Sequence, residues 1–391
     1  MSRQSFLRLL FVLTVPFLIV RAVSAQVYTI TDLGALLPTA VNSFGQIVGN
    51  NSGQAFTWTR FGGMKGLGLL PGGTASYAAS INDLGVVTGY ADGAGIVISP
   101  DSSIPNQTCT DLTQPFLWEP GKGMSGLGTV GVPPYEILFA DWCGIQFYAT
   151  GVNNLGQIVG YTVPYSDEYQ WAFFWTKSEG WTAASPLFGS SFPPTMGNGI
   201  RDTGEVVGQT GELIGGATEW KDGVESDLSG LGSGDSSSAN AVNELGQAAG
   251  WSTTLPLDSG CQQNLVNCPM HAVMWTRAGV ISDLGTLPGD TLSAATGINF
   301  FGQIIGDSGN TLEENGWGGN GGSGFNGEGG SVEVVGRPFI WREPGGMQDL
   351  NTLIRSGSGW VLNSATGINF WGQIIGTGTL NGESHGFLLT P

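Results

Sequence analysis

The two histidines of this chain are the first residues to consider for chemistry, because His is the side chain most often used as a general base. His271 and His385 occupy the same position in two repeated segments. The other segments have at this position Gln54, Gln114, Trp171, Gly216 and Arg337. A catalytic His is expected once, beside a nucleophile and an orienting acid. The repetition therefore predicts that both histidines are strand-edge residues, and no catalytic residue is assigned.

Acidic residues are the second candidates, because two carboxylates are the minimum for glycoside hydrolysis. Glu313-Glu314 and Asp167-Glu168 are adjacent pairs, and adjacency says nothing about spacing across a cleft. The segment 307–315 offers oxygen ligands for Ca²⁺ but lacks the ordered spacing and the closing Glu of a hand-type calcium loop. We therefore predict no cofactor, with calcium at 307–315 as the alternative.

Aromatic residues in long inserted segments are the better candidates for ligand binding. Tyr135 and Trp142 lie close to Cys143, and Trp317 lies in the Gly-rich tract 316–330. An exposed ring held by a disulfide can stack on a sugar or contact a protein. We predict these three aromatic residues as ligand-binding, and packing of each loop onto its own rim is the alternative.

The four cysteines are expected to form disulfides, because four in an exported chain allow two bridges. The chain has no Cys-x-x-Cys motif and only two histidines, which counts against a metal site. Pairing of neighbouring loops predicts the bridges Cys109–Cys143 and Cys261–Cys268.

The elements that position these residues come from a sequence repeated seven times. Each unit has an apolar residue, Asn-x-x-Gly, a Gln/Val/Ile/Gly run and then a run that in six units ends in Trp. The units are centred on Asn42, Asn82, Asn153, Arg201, Asn243, Asn299 and Asn369. Asn bonds to nearby backbone and Gly accepts positive φ, so the motif predicts a tight turn between two strands. Two further runs per unit predict a four-stranded antiparallel sheet.

Seven such sheets are expected to form a closed ring. A small sheet that is apolar on both faces must be covered on both, and stacking around an axis does this. The last unit stops after its third strand at 389–391, whereas 27–34 matches a fourth strand. The sequence therefore predicts an all-β, seven-bladed β-propeller of four-stranded antiparallel blades, closed by the N-terminal strand. The unit near Ile200 has Arg201 in place of Asn, which leaves open whether it forms a full blade.

The repeat resembles a known family. The runs His271-Ala272-Val273 and His385-Gly386-Phe387, the segment 283–289 (Asp-Leu-Gly-Thr-Leu-Pro-Gly) and Gln-Ile-Val-Gly after Asn-x-x-Gly are similar to the bacterial extracellular HAF repeat family. The resemblance covers nearly all of the mature chain. It implies an exported repeat protein and brings no activity with it.

The N-terminus predicts export. Residues 1–25 combine Arg3 and Arg8, an apolar stretch from 9 to 20 and a small-residue site ending at Ala25, as in a secretory signal peptide. The mature chain, 26–391, is then one propeller domain, secreted or associated with the periplasm or cell envelope, without a segment long enough to span a bilayer. Loss of three arginines takes the formal charge from -18 to -21, which argues against nucleic acid as a partner.

Four insertions suggest where function lies. Residues 91–114, 129–148, 252–270 and 307–336 are in excess of the tight repeat, and strand alternation places all four on one face. Loops carry function more often than scaffold does. The leading hypothesis is an exported, non-enzymatic binding or scaffold propeller that recognises extracellular glycan or protein through this face. The alternatives are a secreted polysaccharide-active hydrolase or lyase using loop carboxylates, and a passive envelope or matrix component.

Overall fold

The computed structural model describes twelve stretches of the chain. They are residues 28–93, 96–97, 108–109, 113–128, 146–163, 171–183, 195–211, 215–222, 224–232, 236–255, 268–315 and 331–391. The predicted signal peptide and most of the inserted residues lie outside these stretches. Within them, no helix is both long enough and apolar enough to span a bilayer.

The described residues form seven four-stranded antiparallel sheets, the blades of a β-propeller. Blade one contains β2 (Leu37–Val41), β3 (Ile47–Asn51), β4 (Gln54–Thr59) and β5 (Gly63–Gly66). Blade two contains β6 (Ser76–Ile81), β7 (Val87–Asp92), β10 (Thr113–Glu119) and β11 (Gly123–Gly126). Blade three contains β12 (Gln146–Val152), β13 (Ile158–Val163), β14 (Trp171–Thr176) and β15 (Gly180–Ala183). Blade four contains β16 (Thr195–Ile200), β17 (Val206–Thr210), β18 (Gly216–Lys221) and β19 (Val224–Asp227).

The remaining three blades follow the same order along the chain. Blade five contains β20 (Ser237–Val242), β21 (Ala248–Thr253), β22 (Met270–Trp275) and β23 (Ile281–Gly285). Blade six contains β24 (Leu292–Ile298), β25 (Ile304–Asn315), β26 (Ser331–Arg342) and β27 (Gly346–Asp349), followed by a 3₁₀ turn at Leu350–Thr352. Blade seven contains β28 (Trp360–Ile368), β29 (Ile374–Leu380), β30 (Glu383–Thr390) and, from the other end of the chain, β1 (Thr29–Asp32).

The N-terminal strand closes the ring, as predicted. β1 pairs antiparallel with β30, with Ile30 opposite Leu389 and Asp32 opposite Phe387. Without this pairing β30 would present an open edge of backbone donors and acceptors. The sequence also predicted the position of every inner turn, and the seven turn glycines have φ between 72° and 81°.

Two faces follow from the alternation of strand direction. The turns between first and second strands and between third and fourth strands lie on one face, which we call the turn face. The strand ends that lead into the second-to-third and fourth-to-first connections lie on the other, which we call the insertion face, and the four insertions belong to these connections in the sequence. Two insertions begin as strands: β8 (Ile96–Val97) pairs with β9 (Thr108–Cys109), and β25 and β26 extend the blade six hairpin as far as Asn315 and Ser331.

The core between blades is built on the third strand. Its Phe is buried in five blades: Phe56, Phe116, Phe173, Phe339 and Phe387 are each at most 5 % exposed. The Trp two residues later is buried in two blades, at Trp220 and Trp275. In the other four blades that have it, the Trp is half-buried and packs against a core cluster, at Trp58, Trp118, Trp175 and Trp341.

Candidate functional site

The propeller axis is lined by a feature that the repeat pattern did not reveal. Every first strand carries a β-bulge, a residue that pairs with nothing on the second strand. The bulge residues are Thr39, Ala79, Thr150, Asn198, Asn240, Thr296 and Thr366. Six of them donate a side-chain hydrogen bond to a carbonyl oxygen of the next blade, at 2.7–3.0 Å. In the sequence, these bulge residues could have been noticed as polar residues that recur three positions before the turn Asn.

A second ring of inter-blade hydrogen bonds lies nearer the turn face. Six turn asparagines donate from Nδ2 to the carbonyl oxygen of the matching residue in the next blade, at 2.8–3.2 Å. The Oδ1 of the same Asn accepts the backbone N–H groups two and four residues on, as for Asn42 with Phe44 and Gln46. One side chain thus fixes both the turn and the neighbouring blade.

Blade four completes this ring with different residues. Arg201 is 2 % exposed and forms an ion pair with Glu205, four residues on, where five other blades have Asn followed by Gln. Its Nη1 donates to the carbonyl oxygen of Glu244 at 3.3 Å, so the ring continues into blade five. Lys221 also contacts Glu205. Desolvation lowers the pKa of Arg201, and the positive charge of Arg277 adds to this effect.

An open pocket of about 390 Å³ lies on the axis. At its turn-face mouth five blades contribute polar residues, Ser43, Asp83, Asn154, Asp202 and Glu244, and two contribute Phe300 and Phe370. Backbone N–H groups hold these carboxylates: Ser43 donates to Asp83 at 2.8 Å and Asn154 to Asp202 at 2.7 Å. Partial desolvation raises the pKa of Glu244, and a hydrogen bond from the Asp202 N–H opposes this rise.

The two histidines have the same structural role in two blades. His271 Nδ1 lies 2.9 Å from Asp283, and His385 Nδ1 lies 2.8 Å from Asp32, each pair joining the third strand to the fourth. Arg337 occupies the same repeat position and contacts Asp349 at 3.2 Å. Both histidines therefore lie near the start of a third strand and bind the fourth strand beside it.

Other described carboxylates near the insertion face also hold the fold. Asp92 accepts hydrogen bonds from Thr74 and Ala75, which keep its pKa below the ordinary value although burial opposes them. Asp307, the first residue of the candidate calcium segment, accepts from Ser364 and Ala365 of the next blade. Its segment is paired strand within β25 rather than a loop. Among the described residues, no three His, Cys, Asp or Glu side chains gather as they would around a metal ion.

An aromatic cluster joins blades two and three near the insertion face. Tyr77 stacks on Tyr90 (ring centroids 5.1 Å apart), Tyr90 meets the edge of Tyr148 (4.8 Å), and Tyr148 stacks on Tyr161 (5.5 Å). Burial raises the pKa of Tyr90 to about 12, and the nearby Tyr77 contributes. Along the chain, Tyr90 directly precedes the insertion 91–114, and Tyr148 is the last residue of the insertion 129–148.

The predicted ligand-binding residues are outside the described stretches. Tyr135, Trp142 and Trp317 belong to this group, as do Cys143 and Cys261. Cys109 ends β9, and Cys268 is 1 % exposed, packed in one apolar cluster with Trp251 and Met270. Cys268 is disulfide-bonded, and its partner is not among the described side chains. Both predicted pairings therefore stay predictions.

Comparisons with known proteins add little to this picture. No protein-family model matches the chain, and no curated protein matches its sequence. Among solved structures it is similar to an oligogalacturonate lyase from Vibrio parahaemolyticus, with 9 % identity, 94 % of each chain covered and a TM-score of 0.47. An oligogalacturonate lyase in complex with manganese gives 12 % identity, 93 % and 94 % coverage and a TM-score of 0.48. The SapL1 lectin in complex with alpha methyl fucoside gives 13 % identity and a TM-score of 0.38, with 82 % of this chain and 96 % of the lectin chain covered. Likenesses this distant carry no argument about function.

Proposed function

We propose that this protein is an exported, non-enzymatic binding propeller that recognises a glycan or a protein through its insertion face. The observation that carries the proposal is the use of the described carboxylates near that face. Six of them accept hydrogen bonds or form ion pairs with other parts of the fold, namely Asp32, Asp92, Asp283, Asp290, Asp307 and Asp349. Groups held in this way are poor candidates for acid–base work on a substrate.

The aromatic residues on this side support binding. The tyrosine cluster is packed and partly buried at residues that adjoin two of the insertions in the sequence, and Trp142 belongs to one of these insertions. Aromatic rings that are already ordered lose little entropy when a ligand stacks on them. A polysaccharide-active hydrolase or lyase and a passive envelope component are the two competing functions.

A glycan array combined with hydrolysis and lyase assays on the same glycans separates the three functions. Retention of a glycan without cleavage is the expected result. Cleavage would overturn the proposal in favour of the enzyme. Failure to retain any glycan or cleave one, together with no binding of proteins from the same envelope, would leave the passive component.

The residue-level test is Trp142→Ala. For any glycan retained on the array, we expect affinity to fall by roughly 1–3 kcal/mol, the range for one aromatic anchor, with the melting temperature unchanged. Phe44→Ala is the matched control, because Phe44 is 78 % exposed on the turn face and should leave this binding intact. A Trp142→Ala variant that melts at a clearly lower temperature but keeps its affinity below that temperature would place Trp142 in the core.

Peptide mapping under non-reducing conditions tests the loops that would form the site. We expect peptides linking Cys109 to Cys143 and Cys261 to Cys268. A peptide linking Cys109 to either Cys261 or Cys268 would contradict the proposed loop placement.

A further inference from the structure

In the part of the chain that the structure describes, most exposed large apolar side chains lie on the turn face. Among the described residues, 14 large hydrophobic side chains are exposed. Three of these, Leu255, Val335 and Val361, lie toward the insertion face, and the other 11 lie on or beside the turn face. Monomeric soluble proteins rarely gather exposed apolar residues in this way unless the surface binds something.

Six of the 11 form a ring that we call the collar. They all occupy the second position after the turn Asn: Phe44, Leu84, Leu155, Leu245, Phe301 and Trp371, between 46 % and 78 % exposed. The turn is held by Asn and Gly, so its hydrogen bonds require no apolar side chain there. Because each turn has the same hydrogen-bonded geometry, the collar residues stand at a similar height around the axis. Blade four departs from the pattern with Thr203.

Other side chains broaden the apolar surface on both sides of the collar. Inside it, Phe370 packs against Phe301 and Trp371 with ring centroids 4.9 Å and 5.0 Å apart, and Phe300 joins the same cluster. Outside it are four exposed residues in or beside the turns between third and fourth strands, Phe61, Met64, Val224 and Val280. Phe61 is completely exposed.

Basic residues surround this apolar surface. Three of the 13 Lys and Arg residues lie within the first 25 residues, and six of the remaining ten lie in or beside turns between third and fourth strands. Every blade whose third and fourth strands are joined by such a turn has one in the turn or at the strand end that leads into it. Five of these side chains are exposed, namely Arg60, Lys122, Lys177, Lys221 and Arg277. The guanidinium of the sixth, Arg342, is largely buried and contacts Tyr28. Long basic side chains can lay their apolar stems along such a surface and hold the charge at its border.

The charge balance singles out this face. Apart from the buried Arg201–Glu205 pair, its turns hold these six basic residues and seven acidic ones. The acidic residues are Asp83, Asp202 and Glu244 at the mouth and Glu119, Glu179, Asp222 and Glu343 in the outer turns. The turn face is therefore almost neutral, and nearly all of the formal charge of -21 expected for the mature chain lies elsewhere.

We propose that the turn face lies flat on a phospholipid bilayer, with the collar in the interfacial region and the outer Lys and Arg at the level of the lipid phosphates. A ring of apolar side chains at one height, bordered by basic residues, matches a planar interface of this polarity. A second copy of this chain is the alternative occupant, and the state of the lipid-free protein distinguishes the two. This inference goes beyond the proposed function and concerns the opposite face.

Flotation of the mature protein with phosphatidylcholine vesicles in ~0.15 M salt tests the proposal. The protein should float with the vesicles. Replacing three collar residues, Phe44→Ser, Phe301→Ser and Trp371→Ser, should lower the partition coefficient about tenfold or more, because interfacial binding scales with buried apolar area. The matched control replaces the three exposed apolar residues of the other side, Leu255→Ser, Val335→Ser and Val361→Ser, and should bind as the wild type does.

Equal melting temperatures must accompany these measurements, and quenching of Trp fluorescence by bromine-labelled phosphatidylcholine gives an independent readout that Trp371→Ser should weaken. Absence of flotation by the wild type, or an equal loss in both triple variants, overturns the proposal. So does a lipid-free dimer that the collar variant abolishes, which would make this face an interface between two copies. The collar variant should keep any glycan binding of the insertion face, so failure here leaves the proposed function standing.

Discussion

Blades four and seven are both complete, but they depart from the regular repeat in opposite ways. Blade seven retains the sequence motifs and is assembled from the two ends of the chain, with β1 as its outer strand. Blade four is continuous and has lost the Asn at its turn, with Arg201 in its place. Both contribute to the ring of inter-blade hydrogen bonds, through Asn369 at 2.9 Å and Arg201 at 3.3 Å.

The comparison shows what closure of the ring requires. A blade need not be continuous in sequence, because blade seven is built from both ends of the chain. The turn Asn is not needed in every blade, because blade four has Arg201 in its place. Both blades present a buried donor to the next blade, and both have all four hydrogen-bonded strands. The closing strand and the buried donors can be perturbed separately.

Removal of the closing strand should have the largest effect. A mature chain beginning at Ala40 lacks β1 and the buried residues Tyr28, Leu33 and Leu36, each worth ~1.5–3 kcal/mol when buried. We expect loss of the cooperative thermal transition by calorimetry. A peptide covering residues 26–39, added in trans, should restore it in part. Melting like that of the full mature protein would show that closure by this strand is wrong.

Breaking the substituted pair of blade four should have the next largest effect. Arg201→Ala leaves Glu205 buried without its main partner, and loss of one member of a buried ion pair costs about 3–5 kcal/mol. Lys221 still contacts Glu205, so we expect a value near 3 kcal/mol. Chemical denaturation measures this difference.

The matched variant for blade four restores the regular repeat. Arg201→Asn combined with Glu205→Gln recreates the Asn and Gln of the other blades and should lie within about 1 kcal/mol of the wild type. Equal destabilisation of the double and single variants would show that the ion pair is not a substitute for the amide pair.

Single hydrogen bonds of a regular blade come third. Asn369→Ala removes a donor to Asn42 and an acceptor for two backbone N–H groups, and should cost ~1–3 kcal/mol. Thr366→Val removes only the bulge hydroxyl that donates to Pro38, and should cost ~1 kcal/mol. Chemical denaturation of both variants compares the free energy of unfolding that is lost in the ring of turn-Asn bonds with the loss in the ring of bulge-residue bonds. A larger loss for Thr366→Val would reverse the ranking.

Sequence reasoning recovered the fold well because the repeat specifies it locally. The turn Asn and Gly, the third-strand Phe and the displaced fourth strand each have a physical consequence that can be read one unit at a time. The bulge residues Thr150 and Thr296 could have been noticed, but their partners lie in the next blade, and nothing within one unit indicates them. Arg201 and Glu205 were visible as exceptions, yet their role as a replacement pair requires the three-dimensional ring.

The candidate sites were less accessible to such reasoning. Attention to insertions favoured Trp142 and Trp317, which lie outside the described residues. The collar residues belong to the repeat, because in six units an apolar residue such as Phe44 or Trp371 directly precedes the turn Gly. Within one unit nothing separates these apolar residues from the buried ones, and only the three-dimensional arrangement shows that they are exposed.

The smallest expected effect concerns the seam of blade seven, where His385 meets Asp32 of the closing strand at 2.8 Å. The hydrogen bond to Asp32 raises the pKa of His385 above its ordinary 6.5, so its contribution is complete below about pH 6.5 and is lost as pH rises through the raised value. The pKa of Asp32 is lowered by bonds from His385 and Gly34 that outweigh its desolvation, so its contribution disappears as pH falls below about 3.8. The melting temperature of the wild type should therefore exceed that of His385→Gln slightly near pH 5, and the gap should close near pH 9. A gap of constant size between these pH values would mean that the seam does not depend on the charge of this pair.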